Sequence, residues 1–177
     1  MRLVWFITVL ALALTLIVSS AAASAPTPST TYRVDWKEST TIEGGTLEFR
    51  VRRLVVQGPR WTVRATVVNR STRTIHIDTV TYPSSKLAGM SLAYPVPASG
   101  GYGYNAVPGI NVLQLRVASP KIPTRLAPGQ AWTGTFGSFG VLPKAKPLWV
   151  IFGWFTPDGR KEESFNYITD GAFRLKR

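Results

Sequence analysis

The nine residues Leu148–Thr156, Leu-Trp-Val-Ile-Phe-Gly-Trp-Phe-Thr, narrow the fold more than any other stretch of the chain. Eight of the nine are apolar or glycine, rich in aromatic and β-branched types. A run this short, closed by Thr156-Pro157-Asp158-Gly159, reads as a strand covered on both faces. Pro157 presets φ at the second turn position and Gly159 accepts positive φ, so a type I turn with a glycine bulge is expected. The returning strand, Lys161–Thr169, is more polar, with Phe165 and Tyr167 on one face and Ser164 and Asn166 on the other. A covered strand beside a half-exposed one predicts a sheet in a β-sandwich.

The remaining chain supports this. Thr46–Val56 alternates with Leu47, Phe49 and Val51 inward, then slips, since Leu54 and Val56 are apolar with opposite parity. One extra residue near Arg52-Arg53 restores the register, the signature of a β-bulge. Gln57-Gly58-Pro59-Arg60 turns the chain into Trp61–Asn69, whose inward residues are Trp61, Val63, Ala65 and Val67. Pairing the two strands sets Val51 against Ala65, Val56 against Trp61, and both Arg52 and Arg53 against Arg64. Gly44-Gly45 is a turn, Tyr32–Trp36 an edge strand, Thr74–Val80 a third strand with Ile75 and Ile77 inward. Between Tyr82 and Gly109 only Met90–Tyr94 looks strand-like; Asn111–Ala118 alternates again, and Leu126-Ala127-Pro128-Gly129 launches Ala131–Phe136. Outside the N-terminus no segment carries a helical period, and short strands between Pro/Gly turns spell an all-β sandwich or barrel.

The N-terminus has the composition of a secretory signal: Arg2, an apolar run Leu3–Val18 broken only by Thr8 and Thr15, then Ser and Ala to Ala25. Ala21-Ala22-Ala23 places cleavage after Ala23; the alternative is an uncleaved anchor, for which the run is shorter than the ~20 residues of a spanning helix. Residues 1–23 are thus the signal peptide, 24–31 a Pro/Ser/Thr linker and 32–177 the sandwich domain. Either way the domain is expected outside the cytoplasmic membrane. The absence of cysteine excludes disulfides, thiolate zinc sites and lipid attachment at a cysteine. A net charge of +12 favours anionic partners such as envelope polymers, membrane headgroups or nucleic acid, or serves solubility alone.

The strand Trp61–Asn69 leading into Arg70-Ser71, then Leu126-Ala-Pro-Gly129 with Trp132, then an aromatic strand ending in Pro-Asp-Gly, resembles the immunoglobulin-like sandwich modules of secreted and envelope-attached bacterial proteins. The resemblance covers about Thr46 to Thr169, with a long insertion at Tyr82–Gly109. It implies an antiparallel immunoglobulin-like β-sandwich of adhesive, spacer or docking type, and brings no catalytic residues.

Reaction chemistry is hard to place. His76, the only histidine, has Asp78 two residues on, but no Gly-x-Ser-x-Gly elbow supplies a nucleophile. One histidine and scattered acids make no three- or four-ligand metal set, and Glu162-Glu163 point to opposite faces. A non-enzymatic protein without metal or cofactor is expected.

Two binding sites can be named. Seven arginines (Arg50, Arg52, Arg53, Arg60, Arg64, Arg70 and Arg73) fall within 24 residues free of Asp and Glu. Arg50, Arg52, Arg53 and Arg64 form the candidate anion site, because opposed like charges call for an acidic neighbour such as Asp78 or an anionic ligand. Without interleaved aromatics on that face, single-stranded nucleic acid is disfavoured. The second is the loop Pro95–Gly109, rich in Tyr, Ser, Gly and Asn, where Tyr94, Tyr102, Tyr104 and Asn105 would contact a glycan or protein. The first site predicts a binding module docking on an envelope or extracellular partner, a membrane surface included. The second predicts a soluble carbohydrate-binding or inhibitor module.

Overall fold

Apolar residues at every second position force strands to bury one face, and here two antiparallel sheets do so against each other. The computed structural model describes residues 27–77, 79–82, 85–96, 109–113 and 115–176. In the first sheet β1 (Ser29–Ile42), β2 (Gly45–Gln57) and β3 (Arg60–Asn69) form a meander. β11 (Ala131–Phe139) pairs with β3, and β9 (Val117–Ser119) with β11. The second sheet is centred on β12 (Pro147–Pro157), the run that the sequence singles out. β13 (Phe165–Arg174) lies along one edge of β12. The other edge is shared by β4 (Ile75–Ile77) and β7 (Ser91–Pro95), flanked by β10 (Arg125–Leu126) and β8 (Ile110–Val112). A separate hairpin pairs β5 (Thr79–Tyr82) with β6 (Ser85–Ala88).

The core fills from both layers. Phe49 of β2 and Phe136 of β11 meet Phe152 of β12 at ring-centroid distances of 4.9 and 6.5 Å. Phe49 also stacks on Tyr167 of β13 at 4.3 Å. Trp61, Val63, Ala65 and Val67 are all buried, as their parity requires. The pairing order β2-β3-β11-β9 over β4/β7-β12-β13 is the A-B-E-D over C-F-G order of the constant-type immunoglobulin sandwich, with β1 added outside the first strand.

One strand position is split. Ile77 of β4 pairs with Phe155 and Ser91 of β7 with Ile151, so β4 and β7 continue one line along the same edge of β12. Residues 78–90, with the β5–β6 hairpin, interrupt it. The chain rejoins that line at Gly89, hard against a register break in β12 between Phe152 and Phe155. A Cβ on Gly89 would sit 1.7 Å from the Gly153 carbonyl oxygen, which is backbone and cannot swing away. Gly89→Ala is therefore expected to destabilise the fold by about 2 kcal/mol or more, read by chemical denaturation.

The β2–β3 pairing matches expectation: Val51 lies opposite Ala65, Arg53 opposite Arg64 and Val56 opposite Trp61, with the bulge between Val51 and Arg53. Several boundaries need correction. β1 starts at Ser29, inside the segment read as linker, and runs on to Ile42 instead of ending at Trp36. The third strand stops at Ile77, and the irregular region contains the β5–β6 hairpin. Asn111–Ala118 is not one strand but parts of β8 and β9, in different sheets. The turn after β12 lies one residue later than expected. Asp158 and Gly159 both take positive φ (47° and 74°), and the Arg160 amide donates to the Pro157 carbonyl at 2.9 Å. Positive φ at both central residues is the type I′ requirement, which Asp-Gly suits. A single 3₁₀ turn, Lys161–Glu163, follows, so the return strand begins at Phe165. Nor is β12 fully covered, since Trp149 and Trp154 on its outer face are only half-buried.

Candidate functional site

The outer face of the first sheet is built by the same alternation that fills the core. Arg64 stands outward between buried Val63 and Ala65, and Arg53 lies beside buried Leu54. On β1, half-buried Tyr32 and Val34 flank exposed Arg33. Register then aligns the three: Arg33 opposite Arg53, and Arg53 opposite Arg64. Adjacent strands lie ~4.8 Å apart, so three guanidinium stems span about 10 Å across the sheet. The row continues through Thr135 to Ser119, which supply hydroxyls. One row on, Lys37, Arg50, Thr66 and Thr133 line up in the same way.

The arginines of this face divide into two groups. Arg52, the bulged residue, pairs with Asp35 of β1. Arg50 lies 3.9 Å from Glu48, and Arg70 3.5 Å from the same carboxylate. No carboxylate among the described residues pairs with Arg33, Arg53 or Arg64. Of the four residues chosen from sequence, Arg53 and Arg64 therefore form the unpaired centre, while Arg50 and Arg52 are internally neutralised. The acid that neutralises Arg52 is Asp35; Asp78, a sequence candidate for this role, lies outside the described residues. Arg33 was missed. Its signal was available in the alternation Tyr32-Arg33-Val34-Asp35-Trp36-Lys37, which extends the first strand and fixes which residues face out.

Such a row can do one thing well: present planar, permanently charged donors to phosphate, sulfate or carboxylate groups spaced along a surface. Comparison with known proteins adds nothing to choose the ligand. No family model, curated protein or solved structure matches the chain.

The other candidates fare differently. Tyr94 is half-buried; its hydroxyl accepts from Asn111 Nδ2 at 2.7 Å, and Lys146 Nζ lies 5.3 Å from its ring centroid. It is tied into β7 and β8 rather than presented by a loop. Tyr102, Tyr104 and Asn105 lie outside the described residues. His76 lies in β4 between Arg125 of β10 and Thr156 of β12, half-buried. Among the described residues no group of three or more His, Cys, Asp or Glu could hold a metal ion.

Arg73 belongs to neither group, and sequence reasoning placed it among the other arginines. Its side chain is only 9% exposed. Nε donates to Asp158 at 2.7 Å, and Nη1 to Glu163 at 2.6 Å and Glu43 at 2.9 Å. Nη2 is buried without a partner among the described residues. Its backbone is pinned as firmly: Asn69 Nδ2 donates to the Arg73 carbonyl at 2.7 Å, and the Arg73 amide donates to Ser71 Oγ at 3.2 Å. The guanidinium beside them holds the Glu163 and Asp158 carboxyls below their ordinary range, through its hydrogen bonds first of all. Its own proton is held more tightly still, chiefly by Glu163 and then by Asp158. This is a structural clamp at the end of the sandwich where the β1–β2 and β12–β13 turns meet.

Proposed function

We propose that the chain is an exported, non-enzymatic immunoglobulin-like module that docks on an anionic partner in the cell envelope or outside the cell. The observation that carries this reading is the unpaired row Arg33-Arg53-Arg64. Like charges directly opposite each other cost each pair up to ~1 kcal/mol, and no carboxylate among the described residues offsets it there. The signal-like N-terminus and the excess of 21 basic over 9 acidic residues support the same reading.

The test uses immobilised polyphosphate as a probe of bare anionic charge. The chain is expected to bind at low salt and to elute as salt rises, by counterion release. Arg53→Thr combined with Arg64→Thr is expected to reduce the slope of log affinity against log salt by about 2. Threonine suits an outward strand position and matches Thr62 and Thr66. The same pair of changes relieves both oppositions of like charges, so the unliganded fold is expected to gain up to ~2 kcal/mol. Retention indistinguishable from the wild type would remove the row from the site.

A further inference from the structure

Resting on that reading, we infer that the partner is a bilayer surface rich in anionic lipid headgroups, met by the end of the sandwich where Phe139, Val141 and Val117 stand beside Arg60 and the arginine row. The strand register puts these residues together. Two residues along from the arginine row, Val117 of β9 pairs with Gly137. Two further, Phe139 pairs with Arg60 and Arg60 with Gln57. The Gly140 amide donates to the Pro59 carbonyl at 2.7 Å, fixing Val141 at the same tip. These are the large apolar side chains left in solvent among the described residues: Val141 is 84% exposed, Phe139 56% and Val117 43%.

Apolar side chains scattered singly over a surface need no explanation. Here Phe139 and Val117 share the face of the arginine row and Val141 follows at the tip, with Arg60 directly beside them. Arg60 lies over the Phe139 ring, 4.9 Å from its centroid, joining the two kinds of surface in one contact. A soluble polyanion would use the arginines and leave Phe139 and Val141 wet. A headgroup layer over hydrocarbon uses both, with arginines at phosphate depth and apolar tips below.

The chain's own connectivity points the same way. Thr27 sits at this tip, its carbonyl accepting from Gln57 Nε2 at 3.3 Å. Only Ser19–Pro26 separate it from the apolar run Leu3–Val18. Eight residues reach at most about 28 Å, so until cleavage after Ala23, or throughout in an uncleaved anchor, a membrane holding that run holds this tip within the same distance. The clamp around Arg73, at the far end of β2 and β3, would face away.

Because the chain has no cysteine, one can be introduced alone as Val141→Cys or, at the opposite end, as Glu162→Cys, and labelled with a polarity-sensitive fluorophore. Vesicles of equal parts phosphatidylglycerol and phosphatidylcholine are expected to blue-shift the label at 141 and leave that at 162 unchanged. Phosphatidylcholine alone is expected to give no shift at either. Arg60→Gln with Arg64→Gln in the 141-labelled chain is expected to raise the lipid concentration for half-response by about twenty-fivefold, roughly fivefold per arginine. A shift at 162 as large as at 141, or an equal response to phosphatidylcholine alone, overturns the inference. No shift at 141 in a chain that still binds polyphosphate in salt-sensitive fashion overturns the bilayer and leaves the anion reading standing. Failure on both probes overturns both.

Discussion

Replacing Arg73 by methionine is expected to lower the melting temperature at pH 7 by about 10 °C. Methionine keeps much of the stem volume, so the loss reads the charge and its hydrogen bonds rather than a cavity. What remains after the change is Glu43, Asp158 and Glu163 facing one another, with only the exposed Arg160, 3.1 Å from Glu163, left as a cation. Asp158 matters most for the backbone: its Oδ1 accepts from the Thr74 amide at 3.1 Å, and its own amide donates to the Thr74 carbonyl at 2.7 Å. Repulsion there strains the join between the β3–β4 corner and the β12–β13 turn. Arg73→Lys is expected to recover less than half of the loss, because a point charge cannot serve Nε and Nη1 directions together. Glu43 is 75% exposed, so Glu43→Gln is expected to shift the melting temperature by no more than about 2 °C.

The same clamp sets an acid limb. Asp158 and Glu163 are held below their ordinary range in the folded chain. As pH falls below about 4, the unfolded chain takes up protons that the folded chain still refuses, so their contribution is present above that pH and is lost on acidification. In the Arg73→Met protein the two carboxyls lose the cation that does most to hold them down, Arg160 alone remaining beside Glu163, and protonation relieves their mutual repulsion. The gap in melting temperature between the two proteins is thus expected to be full at pH 6 and to narrow below pH 4. A gap constant from pH 6 to pH 3 would show that the clamp acts by packing alone.

How far these features could be read from sequence depended on whether the decisive partner was near in the chain. The β2–β3 register was legible because buried Val51 and Leu54 must share a face, which admits one bulge and one pairing. That pairing carried two of the three arginines in the row. The strand continuing through β4 and β7 was not legible, since residues 78–90 come between its halves and neither half is long enough to alternate convincingly. The clamp was hidden because Glu43, Asp158 and Glu163 are 30, 85 and 90 residues from Arg73, and an arginine run in sequence does not say which member turns inward. β1 was truncated for a different reason. Its next inward positions beyond Trp36 are Glu38 and Thr40, polar residues that broke the expected pattern before Ile42 resumes it.

Glu38 breaks that pattern because it faces a seam rather than the core, and its removal is expected to cost about 3 kcal/mol. β13 is the edge of the second sheet, with β12 on one side only. From the opposite sheet, Glu38 Oε2 accepts from the Asp170 amide at 3.0 Å and the Tyr167 hydroxyl at 2.8 Å, and Oε1 accepts from the Gly171 amide at 3.2 Å. One carboxylate thus satisfies two edge amides that would otherwise be open to pairing with another chain. Trp36, on the same face of β1, packs on Phe173 at 4.6 Å between ring centroids. A Cβ on Gly171 would lie 2.6 Å from the Trp36 ring, so the approach needs glycine. Burial first, and then the bond to Glu38, keep the Tyr167 phenol protonated well above its ordinary range, so it remains a donor throughout the working pH range. Charged acceptors make the stronger hydrogen bonds, so Glu38→Gln is expected to lose about half as much as Glu38→Ala, and Tyr167→Phe about 1 kcal/mol. Since Tyr167 and Glu38 share one bond, the losses in Glu38→Ala/Tyr167→Phe are expected to fall short of additive. Hydrogen exchange supplies the local readout: the amides of Asp170 and Gly171 are expected to lose protection in Glu38→Ala while those of buried β3 keep theirs. A stability change under about 0.5 kcal/mol with those two amides still protected would mean that the seam is closed by Trp36 and its apolar neighbours, and not by the carboxylate.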